Sequence, residues 1–235
     1  MFCSSTSSNG SRLIDRISGV MYFRVWNPVR LPYMERSQNR RNYLFLLVIY
    51  AVIVSLIFLM KVFLPWQFVV SVSALLMLSV PLVLKSDTSD FRWDPKGILV
   101  GVGVSAVILL IYVAALYGYG RYSGKALVFN GLSYPFILVQ LLLVALPEEV
   151  FFRGYLQQKL GNTIKGVIVV SFLFALAHFI TLCLAGDGLS VCGQAVLTFF
   201  PSLVMGYLYM KTGTLWASII FHFLANIVHI SAGFS

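Results

Sequence analysis

The sequence predicts an all-α protein, a polytopic transmembrane helical bundle of about seven spans with a cytoplasmic N-terminus. Three observations predict it. Of 235 residues, 59% are hydrophobic and only 11% are charged, where a soluble domain carries about 25% charged residues. Several apolar runs approach or exceed the roughly 20 residues that cross a bilayer as a helix. The roughly 10-residue stretches of alternation that mark a membrane β-barrel are absent.

The chain opens on a basic cytoplasmic tail, residues 1–42. Its start, "MFCSSTSSNGSR", has the low-complexity composition of a disordered segment. The following "RLIDRISGVMYFRVW" mixes Arg with bulky apolar residues, a pattern that suits an anionic membrane surface; composition alone favours a loosely held basic tail. No apolar core of signal-peptide length precedes residue 43. Residues 43–130 hold the first helices: "YLFLLVIYAVIVSLIFLM" at 43–60, then 68–84 and 97–117. Residues 131–235 hold four more, at about 135–158, 166–185, 194–210 and 214–232. The fourth and seventh are interrupted by polar residues.

Charge sets the orientation. Residues 1–42 carry seven Arg against Asp15 and Glu35. With seven spans and the N-terminus inside, these join Lys85, Arg92, Lys96, Lys159, Lys165 and Lys211 on the cytoplasmic side. Only Lys61, Arg121 and Lys125 fall outside, which is the positive-inside asymmetry. The net charge of +9 therefore reads as topology. It is no argument for nucleic acid, because no basic face stands apart from the membrane ends. Among the three cysteines, Cys183 and Cys192 flank the hydrophilic "LAGDGLSV" in an outside loop, where oxidation is possible. They read as two unrelated thiols.

An ionisable residue inside a membrane helix costs several kcal/mol on most scales, so it is a functional candidate by default. The candidates are Glu148, Glu149, Arg153, His178, His222, Asn226 and His229. Residues four apart share a helix face. Glu149 and Arg153 can therefore pair, which leaves Glu148 rotated away toward another helix. His222 and Asn226 present an imidazole and an amide together, and Phe174 and His178 form a third such pair. At 1.5 Å of rise per residue, Glu148, His178 and His222 fall within about 8 Å of one another in depth. His229 shares the His222 face but lies near the outer end of its span, and reads as interfacial.

A Glu and a His together can hold a water and take its proton as it attacks a carbonyl. A second His with an Asn can donate hydrogen bonds to the oxyanion that forms. No serine–histidine–aspartate set is apparent, and Asp187 sits in an outside loop. Amide hydrolysis by activated water is the natural reaction. Such cleavage needs a cavity, expected among spans four to seven, with His178 and His222 facing each other across it.

"EEVFFR", "FALAH" and "HFLAN" resemble the three motifs of the CPBP family of intramembrane proteases: Glu-Glu-x-x-x-Arg, Phe-x-x-x-His and His-x-x-x-Asn. All three are complete, in order and on different spans, and the resemblance covers roughly residues 135–230. The family includes type II CAAX prenyl endopeptidases and bacterial proteins tied to peptide processing, bacteriocin immunity or C-terminal sorting signals. The resemblance implies that Glu148 and His178 activate the water, that His222 and Asn226 form the oxyanion site, and that Glu149 and Arg153 support it. It implies an integral, multi-pass protein of a bacterial plasma membrane acting on a membrane-embedded or lipid-anchored peptide.

Glu148, His178 and His222 also make up a three-ligand set of the catalytic zinc type, and the family has been described both as metalloproteases and as glutamate-dependent. Zinc spacing on a single helix is missing, so no cofactor is favoured. Two non-enzymatic readings stand beside the protease: a proton-coupled transporter, which should show paired interrupted helices in two related halves, and a scaffold or immunity protein that keeps the fold without cleavage. The residues do not name the substrate.

Overall fold

Apolar runs become helices in a bilayer because no water there can hydrogen-bond an open backbone. A computed structural model of the chain describes residues 36–84, 93–185 and 188–235. It contains α1 (Arg36–Phe63), α2 (Trp66–Val83), α3 (Pro95–Ser123), β1 (Leu127–Phe129), α4 (Tyr134–Leu160), α5 (Ile164–Cys183), α6 (Leu189–Leu197), α7 (Phe199–Thr212), α8 (Leu215–Ser231) and β2 (Ala232–Phe234). Among the described residues six stretches are long and apolar enough to span: five within α1 to α5, and Val191–Thr212, where α6 and α7 run together. The seventh, α8, is apolar but shorter, at 17 residues. Arg40–Ser235 forms one compact unit; of the other, Met1–Asn39, the described part is the opening of α1. The tail expected over 1–42 lies outside the described residues as far as residue 35, as do Lys85, Arg92 and Asp187.

A short antiparallel ladder accompanies the helices, with Leu127 opposite Phe234, Val128 opposite Gly233 and Phe129 opposite Ala232. β1 follows α3 and β2 follows α8. The two helices therefore deliver the chain to the same end of the bundle.

Local chemistry sets where the helices begin. Asp94 accepts from the Lys96 amide at 3.1 Å ahead of Pro95. Thr163 and Thr214 cap α5 and α8, accepting from the amides of Gly166 and Trp216 at 3.3 and 3.4 Å. Each such cap contributes about 0.5–2 kcal/mol. The last two also fix the register of the helices that carry His178 and His222.

Packing relies on small residues, which let membrane helices approach closely. Gly97, Gly101 and Ser105 recur every four residues along α3 and are buried, while Leu99, Val107 and Leu110 of the same helix are exposed. A Cβ on Gly101 would stand 2.8 Å from the Ala217 carbonyl oxygen, and one on Gly97 would collide with Thr214 Cγ2. α3 thus rests on α8 through a stripe without side-chain bulk. In the core, Tyr50 of α1 donates to the Leu173 carbonyl of α5 at 2.7 Å.

The winding of α4 departs from the uniform 100° step assumed from sequence. It is π-helical over Gln140–Ala145, α-helical over Leu146–Glu149 and π-helical again over Val150–Gln157. Pro147 accounts for the first widening, since it lacks an N–H and its ring presses on the carbonyl a turn earlier. The cysteines also correct the expectation of two unrelated thiols: Cys183 and Cys192 form a disulfide. The chain turns back after α5 so that their Cα atoms lie 4.6 Å apart, within disulfide range. The bond ties the end of the His178 helix to α6.

Candidate active site

Glu148 and Glu149 occupy the α-helical turn between the two π stretches of α4, and as neighbours they point in different directions. Glu149 is fully buried. Its Oε1 receives Arg153 Nη1 at 2.9 Å and His222 Nδ1 at 2.8 Å. Arg153 is also fully buried, and its Nη2 donates to Ser202 Oγ at 2.6 Å and to the Ser202 carbonyl at 3.2 Å. The guanidinium carbon stands 4.8 Å from the centre of the Phe174 ring, a cation–π approach of about 2 kcal/mol when desolvated. This buried network joins α4, α5, α7 and α8.

Glu148 is 17% exposed. Its Oε2 lies 3.7 Å from His222 Nε2 and 4.0 Å from His178 Nε2, beyond direct hydrogen-bond reach. Among the described residues that oxygen has no hydrogen-bond partner. The imidazoles are oriented from behind. His178 Nδ1 is 3.0 Å from the Phe174 carbonyl, which can only accept, so Nδ1–H donates. His222 Nδ1–H donates to the Glu149 carboxylate in the same way. In their neutral forms both rings therefore turn a bare Nε2 toward Glu148.

Phe174, the aromatic of "FALAH", holds both rings. Its centroid is 4.3 Å from that of His178 and 5.8 Å from that of His222. Asn226 Nδ2 donates to Gln140 Oε1 at 3.2 Å. Sequence reasoning missed Gln140 and Ser202, which are both buried. Gln140 could have been found as the lone amide in "ILVQLLLVAL"; a single serine in a helix carries no comparable signal.

A cavity of about 390 Å³ opens beside these groups. His178, His222, Asn226 and His229 line it, with a largely apolar remainder that includes Ile108, Leu109, Leu197, Phe200 and Val204. The expectation that spans four to seven enclose it is corrected: α3 contributes a wall, and among the described residues α4 contributes none. The cause is the small-residue stripe that lets α3 lean on α8. His229 is exposed, and its Nδ1 lies 2.9 Å from the Tyr112 hydroxyl.

A tetrahedral zinc with ligands near 2.1 Å holds them about 3.4 Å apart. The Nε2 atoms of His178 and His222 stand farther than that from Glu148, and no three His, Cys, Asp or Glu among the described residues are gathered as a metal site.

Residues 130–228 match the family described as type II CAAX prenyl endopeptidase Rce1-like. The uncharacterized protein YpbD of Bacillus subtilis (strain 168) is 30% identical over 146 residues, covering 59% of this chain and 69% of that protein. No solved structure matches the chain.

Proposed function

We propose, since the chain belongs to the Rce1-like family of type II CAAX prenyl endopeptidases, that it is an intramembrane endopeptidase of the glutamate type. It would hydrolyse a peptide bond of a membrane-associated substrate: a prenylated tail, a C-terminal sorting signal or a leader peptide. One observation carries the reading. A carboxylate oxygen and two imidazole Nε2 atoms converge on one another across gaps of 3.7 and 4.0 Å, too long for direct hydrogen bonds and polar enough to hold a water among them.

In this reading Glu148 accepts a proton from that water while His178 Nε2 accepts its other hydrogen bond. The water oxygen attacks the scissile carbonyl, and Glu148 returns the proton to the departing amine. Asn226 and His222 donate to the oxyanion. Because His222 already gives Nδ1–H to Glu149, it donates from Nε2 only when doubly protonated, with Glu149 as its counter-ion. Glu149, Arg153, Ser202 and Gln140 hold these groups in place without touching the peptide. The apolar cavity suits a substrate that arrives from lipid, and a bacterial plasma membrane is the expected location.

The test compares membrane proteomes with and without the enzyme, then measures cleavage of an accumulating precursor by the purified protein and by Glu148→Gln. Loss of cleavage in the variant supports the mechanism. Full function in the variant points to a scaffold. Cleavage abolished by a chelator and restored by zinc alone would replace the glutamate reading with a metal one.

A further inference from the structure

We propose that Tyr112 and His229 form a second substrate contact, a hydrogen-bond clamp on an acceptor oxygen of the peptide about three residues from the bond that is cut. The clamp rests on the peptide-hydrolysis reading and extends it. His222, Asn226 and His229 lie at i, i+4 and i+7 on one face of α8, and all three line the cavity. Seven residues of helix advance about 10 Å. An extended peptide covers that distance in about three residues at 3.3 Å each. A chain anchored by its scissile carbonyl at His222 and laid along this face therefore brings an oxygen to His229 at that offset.

The pair supplies a donor whichever way its own hydrogen bond runs. If Tyr112 gives its O–H to His229 Nδ1 across the 2.9 Å contact, the ring proton sits on Nε2 and is free to donate. If Nδ1–H donates to the phenol oxygen, the phenol O–H is free instead. A donor remains in both cases, beside an acceptor (the phenol oxygen or the bare Nε2), so the pair can meet an oxygen of the peptide in either arrangement. The cavity that the pair shares is largely apolar, with Ile108, Leu109, Leu197 and Phe200 among its lining. Two sources of the oxygen share this chemistry: a terminal carboxylate three residues beyond the scissile bond, and a backbone carbonyl of a longer peptide.

The experiment reads binding rather than cleavage. A ladder of dye-labelled apolar peptides carries a hydroxyethylamine unit in place of one peptide bond, which anchors the register at the catalytic groups. One to five residues separate that unit from a free terminal carboxylate, and a second ladder ends in carboxamides. Dissociation constants are measured by fluorescence anisotropy for the full chain in lipid nanodiscs, and for Tyr112→Phe and His229→Leu. Wild-type affinity should peak at three residues in the acid ladder if the carboxylate is held. It should rise to a plateau from three residues in both ladders if a carbonyl is held. Either variant should flatten the dependence, with at least a 10-fold loss at the preferred length and little change for the one-residue peptide. A flat wild-type profile, no binding, or variants that keep the wild-type profile would overturn the clamp. Hydrolysis by wild type and Glu148→Gln is scored separately, so a failed clamp and a failed protease reading give different results.

Discussion

Two adjacent glutamates meet different fates at this site, and the difference is measurable. Glu149 is enclosed with Arg153 and His222, whereas Glu148 faces the Nε2 atoms of His178 and His222. Replacing Glu148 with Gln keeps the shape and removes the base. Turnover should fall about 10²–10⁴-fold with the melting temperature in detergent unchanged. Replacing Glu149 with Gln leaves a buried guanidinium without its counter-charge, which should cost about 3–5 kcal/mol of stability. A stable but inactive Glu149→Gln alongside an active Glu148→Gln would reverse the two roles. This division was legible in the spacing, since Glu149 is four before Arg153. The buried partners of Arg153 and His222 on other helices were not. Nothing local marks Ser202 as the residue behind Arg153, or Glu149 as the carboxylate behind His222.

At the scale of helices, the bulk-free face of α3 gives the sharpest test. Gly101 stands too close to Ala217 for a Cβ, while a Cβ on Gly103 would meet nothing within 4 Å. Gly101→Ala should therefore destabilise by about 1–3 kcal/mol through overpacking. Gly103→Ala should be neutral or slightly stabilising, because Ala loses less backbone freedom in a helix than Gly. Thermal melts of both variants decide it; equal effects would mean that α3 is not seated as described. The Cys183–Cys192 bond closes a short loop, and chain entropy gives it about 2–3 kcal/mol. The Cys183→Ser/Cys192→Ser double variant should melt correspondingly earlier and exchange amide hydrogens faster over α6. These features were hidden for physical reasons. Hydropathy cannot see the turn that brings two thiols together. A helical wheel drawn at a fixed 100° cannot anticipate π turns either. The alanines and glycines of α3 read as mere spacers until their neighbour is known.

For the whole molecule, the number of apolar segments was legible because a bilayer demands so much from composition. The closing ladder was not, because three-residue strands carry almost no pattern. That ladder places the 125–130 loop and the end of α8 together. With the basic tail in the cytoplasm, both should lie on the opposite side. A single cysteine at residue 131, in a chain otherwise free of thiols, should react with an impermeant maleimide added outside intact cells, and one at residue 38 should not. The same pairing has a consequence for the surrounding lipid. α3 has 29 residues and α8 has 17, which correspond to about 44 and 26 Å of rise, and each leads into one strand of the ladder. The shorter helix falls below a hydrocarbon thickness of about 30 Å, and mismatch of that kind is met by thinning the bilayer or tilting the helix. α8 carries His222 and Asn226, so bilayer thickness becomes a control on their placement. Cleavage in vesicles of 14-carbon acyl chains should exceed that in vesicles of 22-carbon chains; equal rates across the series would show that α8 does not feel the membrane around it.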